Sequence, residues 1–336
     1  MAFLDPFTIT VIAVAFLFDF FNGFDDAANS IATVVSTRVL SPIQAVAMAA
    51  FFNFVALFVF ETGVATTIGK GIVDPLAISP LMVLAGLLGA IFWVLLTWWF
   101  GLPISASHSL IGGLIGAAIA SNGFGVILRG KIEIILAFIV ISPILGTIAA
   151  FILMTLVIKI FRKHNATYAN RYFKRLQLLS AAAYSLSHGG NDAQKTMGIV
   201  AVLLFSSGYL GSEFYVPFWV AMMAHLAIAL GTLSGGWRII RTMGGKITKL
   251  DPMHGFSAET AGAAVIMGST FFGIPVSTTH VIAGSIIGVG ATRRLSAVRW
   301  GLARRIMWTW IITIPAASGM AALLFYILSA FMQLSI

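Results

Sequence analysis

An all-α polytopic membrane protein, with ten to twelve transmembrane segments in two repeats of inverted topology with broken or hairpin helices, is the fold class this chain of 336 residues predicts. Three observations carry the prediction. Hydrophobic residues make up 59% of the chain and charged residues 9%, against about 25% charged in soluble domains. Apolar runs of span length recur at 41–60, 80–100, 132–158, 214–233 and 306–330, each long enough to cross ~30 Å of hydrocarbon. Two polar motifs each occur twice, in the same order. The ~10-residue alternating segments of a transmembrane β-barrel are absent. With no cysteine, disulfides, thiolate metal sites and cysteine catalysis are excluded. The net charge of +9 reads as loop charge that orients a membrane protein, not as a nucleic-acid patch.

The first half predicts crossings at 7–37, 41–62, 80–100, 103–121 and 132–160, and the second at 176–206, 214–236, 257–272, 277–291 and 304–330. Residue 7 onward reads as a retained span, since no charged n-region or cleavage site precedes it. Five crossings per half invert the second copy, a common plan among secondary transporters. The basic residues agree. With the N- and C-termini outside, sixteen fall in cytoplasmic loops: Arg38, six between 159 and 175, four between Arg238 and Lys249, and five between Arg293 and Arg305. Only Lys70, Arg129 and Lys131 fall outside. The organisation is therefore an N-terminal repeat over 1–160, a basic cytoplasmic linker over 161–175, and a C-terminal repeat over 176–336. As one helix, 7–37 would run ~46 Å at ~1.5 Å per residue. The first element of each half, with Gly and Asn/Asp at its middle, is expected to be broken or hairpinned.

"GLPISASHSLIGGLIG" at 101–116 matches "GIPVSTTHVIAGSIIG" at 273–288. The pairs include Pro103/Pro275, Ser105/Ser277, Ser107/Thr279 and His108/His280. "NGFDDAANS" at 22–30 matches "HGGNDAQKT" at 188–196, pairing Asp25/Asn191 and Asp26/Asp192. An aspartate at mid-bilayer costs ~2.5–3.5 kcal/mol, so function is its default reading. Asp26 and Asp192, with amide oxygen from Asn29 or Asn191, make an all-oxygen set suited to Na+ or a hard metal ion. Asp25 adds a like charge beside Asp26. In the other motif, proline ends one helix and Ser/Thr caps the next. A helix N-terminus with hydroxyls (Ser105, Ser107, Ser277, Thr278, Thr279) is a ready oxyanion site, or else ordinary capping. Gln194 and Lys195 join it, Lys195 either pairing with Asp192 or meeting an anion. His108 and His280 read as structural hydrogen bonders or coupling groups. Glu61 and Glu259 lie near helix ends, either solvated or coupling. Donors for an oxyanion beside carboxylates coexist only if cations bind too, the electrostatic signature of symport.

"NGFDDAANSIATVVSTRVLSP", "HGGNDAQKTMG" and the two Ser/Thr–His motifs resemble the inorganic phosphate transporter (PiT) family over nearly the whole chain, in its compact prokaryotic, low-affinity permease form. The resemblance implies phosphate import by symport with Na+ or H+, no prosthetic cofactor, and a multi-pass protein of the cell (inner) membrane. The expected partners are phosphate, the coupling ion and lipid, with a homodimer as one option and no nucleic acid. It implies that Asp26, Asn29, Asn191 and Asp192 serve cation and substrate, that Ser105, Ser107, Ser277, Thr278 and Thr279 bind phosphate, and that Glu61 and Glu259 are needed for transport. Asp25 stands where the family usually has Asn or His, which leaves the coupling ion open. A sulfate permease of the same fold is the alternative. Phosphate is favoured because it can donate a hydrogen bond to a carboxylate, which sulfate at neutral pH cannot. An intramembrane aspartyl protease using Asp26 and Asp192 would give no role to the doubled hydroxyl motifs, and a passive anion channel would not need the carboxylates.

Overall fold

The computed structural model describes residues 4–334. Among them are twelve α-helices, which recur as two sets of six. The first set is α1 (Pro6–Ser36), α2 (Pro42–Val55), α3 (Gly63–Gly71), α4 (Pro80–Trp99), α5 (Ala106–Asn122) and α6 (Arg129–Phe161). The second is α7 (Ala166–Ser206), α8 (Phe218–Ser234), α9 (Trp237–Gly245), α10 (Pro252–Phe271), α11 (Thr278–Ala291) and α12 (Trp300–Leu334). The final helices carry Pro143 and Pro315 at matching positions. A single antiparallel bridge, Val73 with Ile127, is the only β pairing among the described residues.

The helix starts are written locally. Asp5, Ser41, Ser79 and Asp251 each accept a hydrogen bond from a first-turn N–H, and proline follows each of them, the arrangement that satisfies orphan donors and pre-sets φ. Ser41 and Gln44 complete a capping box.

The expected break in the first element of each half is not where the structure puts it. α1 and α7 are continuous through their Gly–Asn–Asp centres. The glycines serve close packing instead. A Cβ on Gly23 would overlap the carbonyl of Ile228 in α8, and one on Gly189 would run into the backbone of Asn53 in α2. The polar side chains point into protein, so the backbone needs no interruption to satisfy them. The bends fall in the second elements: α2 with its 3-10 extension meets α3 at 82°, and α8 meets α9 at 75°. The basic stretch 161–175 is a short turn that becomes helix at Ala166.

By length and composition, four helices (α1, α4, α6, α12) can cross a membrane, or six spans if each bent pair counts as one. α7 and α10 carry inward polar rows that lower their hydropathy. α5 and α11, of 17 and 14 residues, extend only ~25 and ~21 Å. α6 and α12 form outer walls: 22% and 17% of their most apolar windows are buried, against 44% and 56% for α1 and α4. Ile148, Phe151, Ile311 and Phe331 on those walls are exposed, as lipid contact requires.

The halves interlock. α5 packs on α4 of its own half and α12 of the other; α11 packs on α10 and on α6. Two large apolar cores result, beside a small cluster of Val157, Ala169 and Phe173. One holds Val11 to Phe18 of α1 and Ala193 to Leu204 of α7; the other holds Ala28 to Val34 of α1 and Ala181 and Tyr184 of α7. Between them both long helices present their polar residues, so the fold places a polar belt at mid-depth.

Gly189→Val is expected to cost ~1–3 kcal/mol or more and to lower the unfolding midpoint of the purified protein in detergent. On the basic face, burial tends to raise the Asp251 carboxyl, but the hydrogen bond and charge of His254, with Arg293 2.7 Å away, bring it down to about 2. A carboxyl depressed on folding stabilises above about pH 4 and loses that contribution as pH falls toward 2. Asp251 is 46% exposed, so solvent holds the effect below ~1 kcal/mol. Asp251→Asn should flatten the midpoint-versus-pH curve over that window.

Candidate functional site

At the centre of the belt, α1 and α7 set Asp26 and Asp192 against the starts of α5 and α11. Ser105 caps α5 by accepting from the His108 N–H at 3.3 Å, and Ser277 caps α11 by accepting from the His280 N–H at 3.3 Å. Both starts lie together: the rings of His108 and His280 are 4.7 Å apart. The helices then leave along different partners, so two positive helix ends converge on one place.

The acidic wall is tightly bonded. Asn29 donates to Asp26 Oδ1 at 2.7 Å and to Thr279 Oγ1 at 2.8 Å, while Thr279 Oγ1 lies 3.1 Å from the same carboxylate oxygen. Thr278 Oγ1 lies 3.2 Å from Asp192 Oδ2 and 3.4 Å from Asp26 Oδ2, bridging the two repeats. Tyr184 supports that residue by donating to its carbonyl at 3.0 Å. The Lys195 ammonium donates to Asp192 Oδ1 at 2.5 Å, Ser107 Oγ at 2.5 Å and the Val276 carbonyl at 2.8 Å. All of these side chains are 5% exposed or less.

His188, passed over in the sequence, completes the wall. Thr232 donates to the Ile228 carbonyl and therefore accepts from Asn53 Nδ2. That turns Asn53 Oδ1 toward His188 Nδ1, 3.1 Å away, so Nδ1 carries the proton. His188 Nε2 then faces Asp192 Oδ2 at 3.5 Å and Asp26 Oδ2 at 3.7 Å. Asp26, His188 and Asp192 each offer a ligand atom within 4.8 Å of the others, a set that could hold a metal ion. The signal was present: His188 lies four residues before Asp192, on the same helical face, and is the repeat counterpart of Asn22.

The other expected site residues lie apart. Asn191 spends its amide on Thr270 Oγ1 and the Ile274 carbonyl, and its oxygen accepts from the Val276 N–H; it fastens the loop before α11. Gln194 accepts from the Val64 and Ala65 N–H groups, holding the start of α3 at its bend. Glu61 is exposed at that bend. Asp25 is buried with Oδ1 unmet. His280 bonds the Ile139 carbonyl and stacks on Trp310 at 3.8 Å. Glu259 forms a second polar cluster two turns along α1 from Asp26. Thr33 donates to it at 2.5 Å, Gln177 at 2.9 Å and Ser180 at 2.5 Å.

A buried cluster of carboxylates, hydroxyls and one ammonium, gathered where two helix starts meet inside an apolar shell, has the make-up of a membrane transport protein. Residues 22–321 match the Phosphate transporter family, and the chain belongs to it. A protein of Rhizobium meliloti named "Probable low-affinity inorganic phosphate transporter" is 57% identical over 321 residues, covering 96% of each chain. One of the same name in Bacillus subtilis is 47% identical over 96% of this chain and 97% of its own. Among solved structures, "The sodium-dependent phosphate transporter" superposes with a TM-score of 0.88 at 26% identity, covering 97% of this chain and all of the other.

Lys195→Met is expected to strand Asp192 as a buried unpaired charge and to cost ~3–5 kcal/mol in chemical unfolding. Adding Asp192→Asn should recover most of that loss in the same measurement.

Proposed function

We propose that this protein imports inorganic phosphate by symport with Na+ or H+, through alternating access around the mid-depth chamber. The observation that carries the reading is the convergence of the α5 and α11 starts on a wall of carboxylates. The helix ends with Ser105, Ser107, Ser277, Thr278 and Thr279 supply donors for an oxyanion, and Lys195 supplies its counter-charge. Asp26, Asn29, Asp192 and His188 supply cation ligands. Asp26 and Asp192 would repel a bare anion, so an entering cation lowers the repulsion and the two bind together, a reciprocal coupling. A protonated phosphate oxygen can donate to the carboxylates, whereas sulfate offers only acceptors. The names of the relatives favour the same substrate, and the sodium-dependent structural neighbour favours a cation partner.

Access on one side is favoured by a cavity of about 310 Å³ lined by Arg238, Arg241, Lys246 and Arg305, and by Gly101–Pro103 just before Ser105. By the positive-inside rule this face is cytoplasmic, which leaves both termini outside. Within this reading, Glu259, His108 and His280 act in gating or coupling from positions flanking the chamber. Glu61 at the α3 bend and Asp25 beside Asp26 belong to the same group. Asn191 and Gln194 position the elements that close the site.

Radiolabelled phosphate uptake into proteoliposomes under separate Na+ and pH gradients, with sulfate as competitor, tests the reading. Uphill uptake that collapses with one gradient and resists sulfate is expected; uptake that ignores both gradients overturns symport, and equal inhibition by sulfate overturns the substrate. Asp192→Asn and Ser277→Ala should each reduce uptake by about tenfold or more while the protein remains monodisperse. Near-normal uptake by either variant removes that residue from the site.

A further inference from the structure

Asp19 takes no part in the chamber, yet it is fully buried. Thr196 of α7 donates to its Oδ1 at 2.7 Å, while Oδ2 meets no partner. One turn further along α1, Oδ1 of Asn22, 1% exposed, is also unmet. Two buried acceptor oxygens on one helix face, with only the Thr196 hydroxyl and the Asn22 side chain bearing on the Asp19 carboxyl, ask for something electropositive.

Among the described residues, no protein cation bonds Asp19. The charged groups felt at Asp19 are Asp192 and Lys195, and Lys195 has committed all three of its N–H donors to Asp192, Ser107 and the Val276 carbonyl. An uncompensated buried carboxylate is costly. A single carboxylate among neutral amide and hydroxyl oxygens balances one positive charge. A divalent ion would leave the pocket with a net buried charge.

The placement is specific to one half. The repeat counterparts of Asp19, Asn22 and Thr196 are Ser185, His188 and Ser30, and Ser185 satisfies itself on the Ala181 carbonyl. Along α1, Asp19, Asp26 and Thr33 are spaced seven residues apart, two turns or ~10 Å each, on one face. Thr33 carries the hydrogen bond to Glu259. Three carboxylates are thereby stacked at even intervals beside one helix, with the chamber in the middle.

We propose that Asp19, Asn22 and Thr196 form a further cation site for a co-transported monovalent ion, Na+ or a proton, ~10 Å from Asp26 toward the start of α1. The site lies on the side from which import begins in the orientation given above, and it rests on the symport reading. Its cation stations the first positive charge next to the chamber before substrate arrives. Glu259 stands in the corresponding place on the far side.

The full-length protein in proteoliposomes tests this with Asp19→Asn, Asp19→Glu and Thr196→Val, reading charge moved per phosphate and the half-saturating Na+ and H+ concentrations separately. Asp19→Asn should move one positive charge fewer per phosphate, and Asp19→Glu should retain it. Thr196→Val should raise the half-saturating concentration of the coupling ion by about tenfold with the charge ratio unchanged. A shift confined to the Na+ titration assigns sodium; one confined to the pH titration assigns the proton. Charge ratio and cation dependence both unchanged in Asp19→Asn would mean that a water molecule alone meets the two oxygens, and would overturn the site. Should Asp19→Asn fail to remain monodisperse, an unchanged half-saturation in Thr196→Val overturns it equally. Absence of phosphate uptake by the unmodified protein would instead sink the symport reading itself.

Discussion

The Lys195 ammonium is the interaction on which the rest of the architecture depends. It is buried at mid-depth and joins three elements: its own helix through Asp192, the start of α5 through Ser107, and the loop into α11 through the Val276 carbonyl. Without it, Asp26 and Asp192 would be two like charges in low dielectric with only a histidine between them. With it, the carboxylates can be held near two positive helix ends, and it adds the Ser107 link to the other bonds between the repeats. The desolvation of such a pair is costly, and its retention in a molecule otherwise 59% hydrophobic is best explained by function.

Around that point the fold works by separating polar from apolar in layers. Two apolar cores enclose the belt, so the polar residues of α1 and α7 have nowhere to go but toward each other. The continuity of both helices follows. A break would be needed only if the backbone itself had to form the site, and here side chains form it. Breaks occur at the α2–α3 and α8–α9 bends. At the first of these, Gln194 takes over the orphan N–H groups of α3.

The repeats are alike in plan and unlike in chemistry. Thr33, Gln177, Ser180 and Glu259 gather on one side of the chamber. Their counterparts by repeat offset are Ile199, Val11, Val14 and Leu87, all within or against the first apolar core. The Glu259 cluster is therefore hydrogen-bonded on one side of the site, while the four matching positions on the other side are apolar.

Much of this was legible beforehand. Composition alone set the membrane class, because hydrocarbon tolerates so little charge. The doubled Pro–hydroxyl–His motif located the helix starts, since capping is decided within four residues. Asp26 and Asp192 stood out because charge in an apolar run is expensive. What sequence could not decide was every matter set by distant neighbours. Whether Gly23 and Gly189 break a helix or admit another one depends on α8 and α2. Whether Asn191 and Gln194 line the chamber or brace loops depends on where α11 and α3 arrive. His188 became a ligand candidate only through a relay from Thr232 and Asn53, two helices away. Local chemistry is encoded by adjacent residues and can be read from them; the partner a buried polar atom finds is chosen by packing, and only the tertiary structure supplies it.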